Sequence, residues 1–267
     1  MSYVPLTPRD LVLAAALIFV NAGLSFAFRL GLERSLFIAA ARMVVQLALI
    51  GFVLKFIFAQ TSPAWTLLLA LVMVGFAGAE VLGRQQRRLA GPAAYALGTG
   101  TLLFVGLFAT VFAVAGVIGP EPWYAPRYVL PILGMVLGNA LTGVALVLDT
   151  VSQAVVRERP AIEARLALGA TRLQALDEVL KRALRTGTMP ILNAMAASGV
   201  VSLPGMMTGQ ILAGVDPIEA AKYQVMIMFL IAGATGLSVV LAGFGAVVLL
   251  TDERHRLRLD RLVARGA

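Results

Sequence analysis

The chain has 267 residues, 60% of them hydrophobic and 13% charged, with a formal net charge of +8 and no cysteine. Soluble domains are about 45–50% apolar and roughly 25% charged, so this composition, with its mean hydropathy of +0.89, excludes an ordinary soluble domain and indicates a membrane protein. The missing cysteines exclude disulfides and thiolate metal sites, and the positive-inside bias of membrane proteins accounts for the basic charge without a nucleic-acid partner.

In chain order, the opening "MSYVPLTPRDL" lacks the basic n-region of a signal peptide. A hydrocarbon core requires about 20 apolar residues as helix. Seven stretches qualify: Leu11–Phe28, Leu36–Phe58, Trp65–Leu82, Tyr95–Ile118, Tyr128–Leu148, Pro190–Ala213 and Tyr223–Leu250. Breakers and charges fill the connectors, such as "QTSP", "GRQQRRLAGP" and "GPEPWYAPR". With the N-terminus outside, the inner connectors hold seventeen Lys and Arg, from Arg29 to Arg265, and the outer ones hold three, Arg9, Arg127 and Lys222. That asymmetry predicts N-out and C-in, and it requires an odd number of crossings. Trp65, Trp123, Tyr124 and Tyr128 gather at the predicted outer interface, as aromatic belts do.

Polar groups inside spans are expensive, so each is a candidate for the substrate route. Arg42 and Gln46, four apart, share a face of the second span; Arg42 either lines a route or snorkels to the inner interface, and Lys55 snorkels at the outer end. Glu80 stands four residues from Arg84, which suits either a headgroup-level ion pair or a transport role. Asn139 lies mid-span beside Gly138. "GMVLG" (134–138) and "GMMTG" (205–209) are small-xxx-small faces suited to close helix packing, within the subunit or across a dimer.

The segment Asp149 to Met189 is the largest cytoplasmic feature. Ile162, Leu166, Leu173, Leu176, Leu180 and Leu184 follow helical spacing, with Arg165, Arg172 and Glu178 off the stripe. Gly169 interrupts the pattern, which predicts two short helices or one bent helix. Further on, "SLPGMMTGQ" predicts a broken helix at membrane depth, with Pro204 and Gly205 freeing backbone carbonyls and Met206, Met207 and Gln210 beside them. Thioethers suit Cu(I), whereas hard cations want oxygen, so these residues do not themselves indicate iron and no metal ligand set is assigned. The outer turn "DPIE" predicts a helix start with Asp216 as cap, Pro217 first and Glu219 closing a capping box. His255, in the basic tail 251–267, is expected to be solvated.

"IEARLALGATRLQAL" resembles the Glu-Ala-Ala-three-residues-Gly loop of ABC-transporter permeases through Glu163, Ala164 and Gly169, with Ala170 and Thr171 after them. Arg165 replaces the third-position Ala, and Lys181-Arg182 replaces the Leu-Pro that often follows. More widely, "ARMVVQLALIGFVLKFIF", "GMVLGNALTG", "SLPGMMTGQILAGVDPIEAAKYQ" and "TDERHRLRLDRL" resemble the FetB-type iron-export permeases and the related plant aluminium-sensitivity permeases.

The resemblance implies an all-α, polytopic membrane bundle of about seven helices, one permease domain over 1–267, with a cytoplasmic coupling-helix hairpin within 149–189. It implies a homodimer in the inner membrane, working with a separate cytoplasmic ABC ATPase subunit that the coupling hairpin enters, its leucine face in the partner's cleft. This chain has no G-x-x-x-x-G-K-[ST] loop and is expected to bind no cofactor, ATP and Mg belonging to that partner. The implied cargo is iron, with a nucleotide-sugar or another metal as the alternative cargo and an ATP-independent carrier as the alternative mechanism. The loop is of a type common in importers while the resemblance points to export, and the sequence leaves the direction open.

Overall fold

The computed structural model describes residues 7–59 and 62–264; the predicted features at residues 1–6, Gln60, Thr61 and Arg265 lie outside them. The described chain is almost wholly helical and falls into two units.

The first unit covers residues 7–59 with 212–214. It contains α1 (Pro8–Ala27) and α2 (Glu33–Phe58). Ser25 organises the bend between them: its hydroxyl accepts the Leu32 N–H and donates to Glu33 Oε1, both at 3.0 Å. Phe19 and Phe37 meet across the pair with ring centroids 5.5 Å apart.

The second unit contains α3 (Pro63–Arg84), α4 (Pro92–Val111), α5 (Pro126–Arg157), α6 (Arg159–Ala167), α7 (Arg172–Ala175), α8 (Asp177–Ala197), α9 (Gly205–Leu212) and α10 (Pro217–Leu250). Proline opens α3, α4, α5 and α10, because its fixed φ suits the first helical turn and its missing N–H would have no partner there. α4 continues as a π-helical turn, Phe112–Ile118, which Gly119 ends at φ +64. α5 is the central helix, and α3, α4, α8 and α10 all pack on it. The core includes Val105, Ile132, Val136, Ile191, Ile227 and Ile231, drawn from α4, α5, α8 and α10.

Six helices are long and apolar enough to cross a membrane: α1, α2, α3, α4 with its π turn, α5 and α10. The predicted sixth crossing, Pro190–Ala213, is not one helix. α8 runs through Pro190 to Ala197, a turn of residues 198–204 follows with Gly199 at φ +90, and α9 resumes at Gly205. α5 outruns its predicted span by nine residues, from Leu148 to Arg157, because its buried inner face continues past the apolar stretch through Val151 and Val155.

α5 and α8 cross with their backbones in close approach. A Cβ built on Gly143 would lie 2.9 Å from the Gly187 carbonyl oxygen, and one on Gly187 would lie 2.9 Å from the Gly143 carbonyl oxygen. The predicted small-residue faces contribute less. Gly134 meets Met73 Cε at 3.3 Å, while Gly138, Gly205 and Gly209 have nothing within 4 Å of a built Cβ.

The tail is folded back. β1 (Arg87–Leu89) pairs antiparallel with β2 (Leu262–Ala264), so that the loop after α3 and the chain beyond α10 share a two-stranded sheet. Asp252 shapes the turn between, accepting the Arg254 and Arg256 N–H groups at 3.0 and 2.8 Å. These bonds hold its carboxyl below the usual range, the Arg256 N–H being the largest cause.

Candidate functional site

The hairpin of residues 159–175 is built as two short helices around a glycine turn. α6 ends at Ala167, Gly169 takes φ +91, and α7 begins after Thr171. That φ is where a side chain is strained, so glycine sets the reversal. Ala170 N–H closes the turn on the Arg165 carbonyl at 3.1 Å. Thr171 caps α7 in a reciprocal box with Gln174. Glu163 pairs with Arg159 at 2.8 Å on the outer face of α6, one residue before Ala164. Each is a surface pair worth no more than about 1 kcal/mol.

The leucine stripe is divided between the chain's own interior and its surface. Ile162, Leu176 and Leu180 are 3%, 1% and 6% exposed, so these three members of the stripe seat the hairpin on its own chain. The apolar groups that point out are Leu168, 89% exposed at the apex, and Leu173. Helical periodicity locates a stripe but not what covers it; the signal for Leu168 was its place beside the turning Gly169.

At the base of the hairpin, Glu158 lies between α5 and α6 and takes bonds from Arg182 on α8 and from Arg157 Nη2 at 3.0 Å. The Arg182 bond, then the Arg157 bond, holds the Glu158 carboxyl below its ordinary value. His255 is exposed, yet it is not merely solvated: its Nδ1 accepts the Arg172 N–H at 3.3 Å, which ties the tail to the start of α7.

Within the spans, Arg42 and Gln46 lie one turn apart on α2, in the first unit. Glu80 pairs with Arg84 at 3.4 Å, and Arg84 Nη1 also donates to Thr142 Oγ1 on α5 at 3.1 Å. Below this clasp, Asp149 accepts from Gln86 N–H at 2.8 Å and Gln153 Nε2 at 2.6 Å. The Asn139 amide donates to the Met135 carbonyl at 2.9 Å, one turn from Thr142.

The expected break lies at residues 198–204, and part of its backbone is bonded within the turn. Ala197 oxygen accepts the Val201 and Ser202 N–H groups at 3.0 and 3.1 Å, and Ser202 oxygen accepts the Gly199 N–H at 2.9 Å. Pro204 oxygen accepts the Thr208 N–H at 3.0 Å, because Gly205 starts α9. Met206 and Met207 are half-buried, and Met206 packs on the hydrophobic core. Asp216 caps α10 through Ile218 and Glu219 N–H at 2.9 and 3.3 Å, whereas Glu219 turns to Lys222 at 2.6 Å and closes no box.

Buried oxygens without a hydrogen-bond partner include Gln210 Oε1 on α9 and Gln224 Oε1, Thr235 Oγ1 and Ser238 Oγ on α10. The three on α10 were not singled out from the sequence, since single polar residues spaced along an apolar span show no short-range pattern. No group of three or more His, Asp or Glu side chains that could hold a metal ion occurs among the described residues.

The model of the uncharacterised protein family UPF0014 matches residues 8–249. The probable iron export permease protein FetB of Escherichia coli (strain K12) is 32% identical over 263 residues, 96% of this chain and 97% of that protein. The UPF0014 membrane protein STAR2 of Oryza sativa subsp. japonica is 37% identical over 235 residues, 87% of this chain and 80% of its own length. Protein ALUMINUM SENSITIVE 3 of Arabidopsis thaliana is 36% identical over 233 residues, 84% of this chain and 81% of its own. No solved structure matches the chain.

Proposed function

The chain belongs to the UPF0014 family, and from that premise we propose that it is the membrane permease subunit of an ATP-driven exporter of iron. The observation that carries the reading is its nearly end-to-end similarity to a probable iron export permease. The protruding hairpin supports the ATP-driven part. An exposed Leu168 on a glycine-set apex is an apolar knob that a cleft on a cytoplasmic ATPase subunit can grip.

In this reading, ATP and Mg are bound by the partner, and its closure pushes the hairpin. The push reaches α5 and α8 together, because Glu158 and Arg182 join the hairpin base to both helices. Two copies of the chain form the permease in the inner membrane, with the N-terminus outside and the C-terminus in the cytoplasm. The turn-interrupted pair α8–α9 completes the seventh crossing that the charge asymmetry requires. Iron leaves along a route of neutral oxygens that includes Gln210 and Asn139. Neutral oxygens hold a hard cation weakly enough to let it go.

The test is reconstitution with the ATPase subunit in proteoliposomes. Iron-stimulated ATP hydrolysis and ATP-dependent iron movement are expected, and hydrolysis indifferent to iron overturns the cargo.

A further inference from the structure

Thr110, Thr188, Ser198, Thr208 and Thr251 all spend their hydroxyls in the usual way for a membrane helix, donating to the carbonyl four residues back at 2.7–3.2 Å. Thr235 and Ser238 do not. They are 2% and 0% exposed, and neither hydroxyl has a partner. Gln224, 9% exposed, leaves its amide oxygen unpartnered on the same helix.

The three share a face. From Gln224 to Thr235 is eleven residues, three turns plus about 20°, and to Ser238 is fourteen residues, four turns less about 40°. They extend over roughly 21 Å of α10, with Ile231 between them on the same face and Ile227 beside it. Gln210, whose Oε1 is likewise unpartnered, stands on α9 one turn after Met206, which packs against the hydrophobic core.

Orphaned oxygens inside a membrane bundle lower stability, since no water is there to take their bonds, and apolar side chains of the same shape would avoid the loss. A row of them on one buried face has an explanation if a ligand fills their bonds in transit. We propose that the buried face of α10 is the cargo track: Gln224 forms an outer station, Thr235 and Ser238 an inner one, and Ile227 and Ile231 are the apolar seal between. This rests on the reading of the chain as a cation exporter and adds the residues that handle the ion. The cargo class is a hard divalent cation carrying part of its water shell, since every donor is a neutral oxygen. The inner station is closed in this structure, where Thr235 Cγ2 comes within 3.1 Å of a Cβ built on Gly143 and Val239 packs against Gly187. Moving α10 away from the α5–α8 crossing opens it.

The test uses Gln224→Met and the near-isosteric pair Thr235→Val with Ser238→Ala in the full chain, co-expressed with the ATPase subunit. Three quantities are read: the thermal midpoint of purified protein, its shift on adding Mn2+ as a redox-stable hard cation, and cellular iron under load. The expected result is a midpoint equal to or above that of the natural protein, loss of the Mn2+ shift, and export reduced at least five-fold. Export within two-fold of the natural protein overturns the track. So does lost export with a lowered midpoint, which would assign these groups to packing. If the unaltered protein exports no iron but shows a Mn2+ shift that Gln224→Met abolishes, the iron reading fails and the track stands. Neither export nor a shift in the unaltered protein overturns both.

Discussion

Arg182 on α8 and Arg157 at the end of α5 hold the two oxygens of one carboxylate, Glu158, at the root of the α6–α7 hairpin. The hairpin is thereby fixed to two membrane helices at once. A movement at its apex is coupled to both helices through one carboxylate.

The same pair sets an acid limit. The folded Glu158 carboxyl titrates below its unfolded value, so its stabilising effect is present above about pH 4.3 and is lost as pH falls through the folded value. Protection factors of the α6 and α7 amides, which correct for the slower intrinsic exchange in acid, should therefore fall as pH drops through the folded Glu158 value in the natural protein. Glu158→Gln should exchange faster already at pH 7 and lose most of that acid dependence, measured by hydrogen–deuterium exchange in detergent.

Gly143 and Gly187 let the α5 and α8 backbones touch. Alanine at either position must push a Cβ against a carbonyl oxygen, which does not give way as a side chain does. Overpacking of this kind costs about 1–3 kcal/mol. Gly143→Ala and Gly187→Ala should each lower the thermal midpoint by several degrees, and the double substitution should cost less than the sum because both relieve one contact. Gly138→Ala, with open space at its Cβ, serves as the control that changes nothing.

Leu168 and Leu176 separate docking from folding. Leu168→Asp should leave the thermal midpoint unchanged and weaken co-purification of the ATPase subunit at least ten-fold, since the apex is exposed. Leu176→Asp buries a charge in the hairpin seat and should destabilise the protein outright. Retained ATPase capture by Leu168→Asp would remove the apex from the docking surface.

Topology is testable without background, because the chain contains no cysteine. Single cysteines at Glu121 and at Glu253 should react oppositely with a membrane-impermeant thiol reagent: Glu121→Cys in intact cells, Glu253→Cys only after permeabilisation. The reverse pattern would invert the predicted orientation.

The methionines of α9 and its glutamine distinguish soft from hard ligation. Met206→Leu with Met207→Leu removes two thioethers at nearly constant volume, whereas Gln210→Leu removes a buried amide oxygen. Iron retention should stay near that of the natural protein in the double methionine variant and rise at least five-fold with Gln210→Leu.

By itself the sequence determined where most crossings lie. A bilayer admits only backbone that satisfies its own hydrogen bonds, so long apolar runs must be helices, and proline at the head of α3, α4, α5 and α10 marks their starts. Gly169 and Asp216 were equally legible, one requiring left-handed backbone and the other capping a helix, both through bonds within a few residues. Sidedness was not legible. Apolar residues face lipid and core alike in a membrane, so hydropathy could not say that Ile162, Leu176 and Leu180 are covered by their own chain or that the buried face of α10 carries unpartnered oxygens. The break in the sixth crossing was legible at Pro204 and Gly205, but the tertiary structure starts it earlier, where α8 ends at Ala197 and residues 198–204 turn. Contacts between distant residues belong wholly to the tertiary structure: Arg84 reaches Thr142 58 positions away, Arg172 reaches His255 83 positions away, and β1 finds β2 only after α10 brings the tail back to it. No local pattern encodes such pairs, because they exist only once the packing of α3, α5, α8 and α10 has fixed where the loops and the tail emerge.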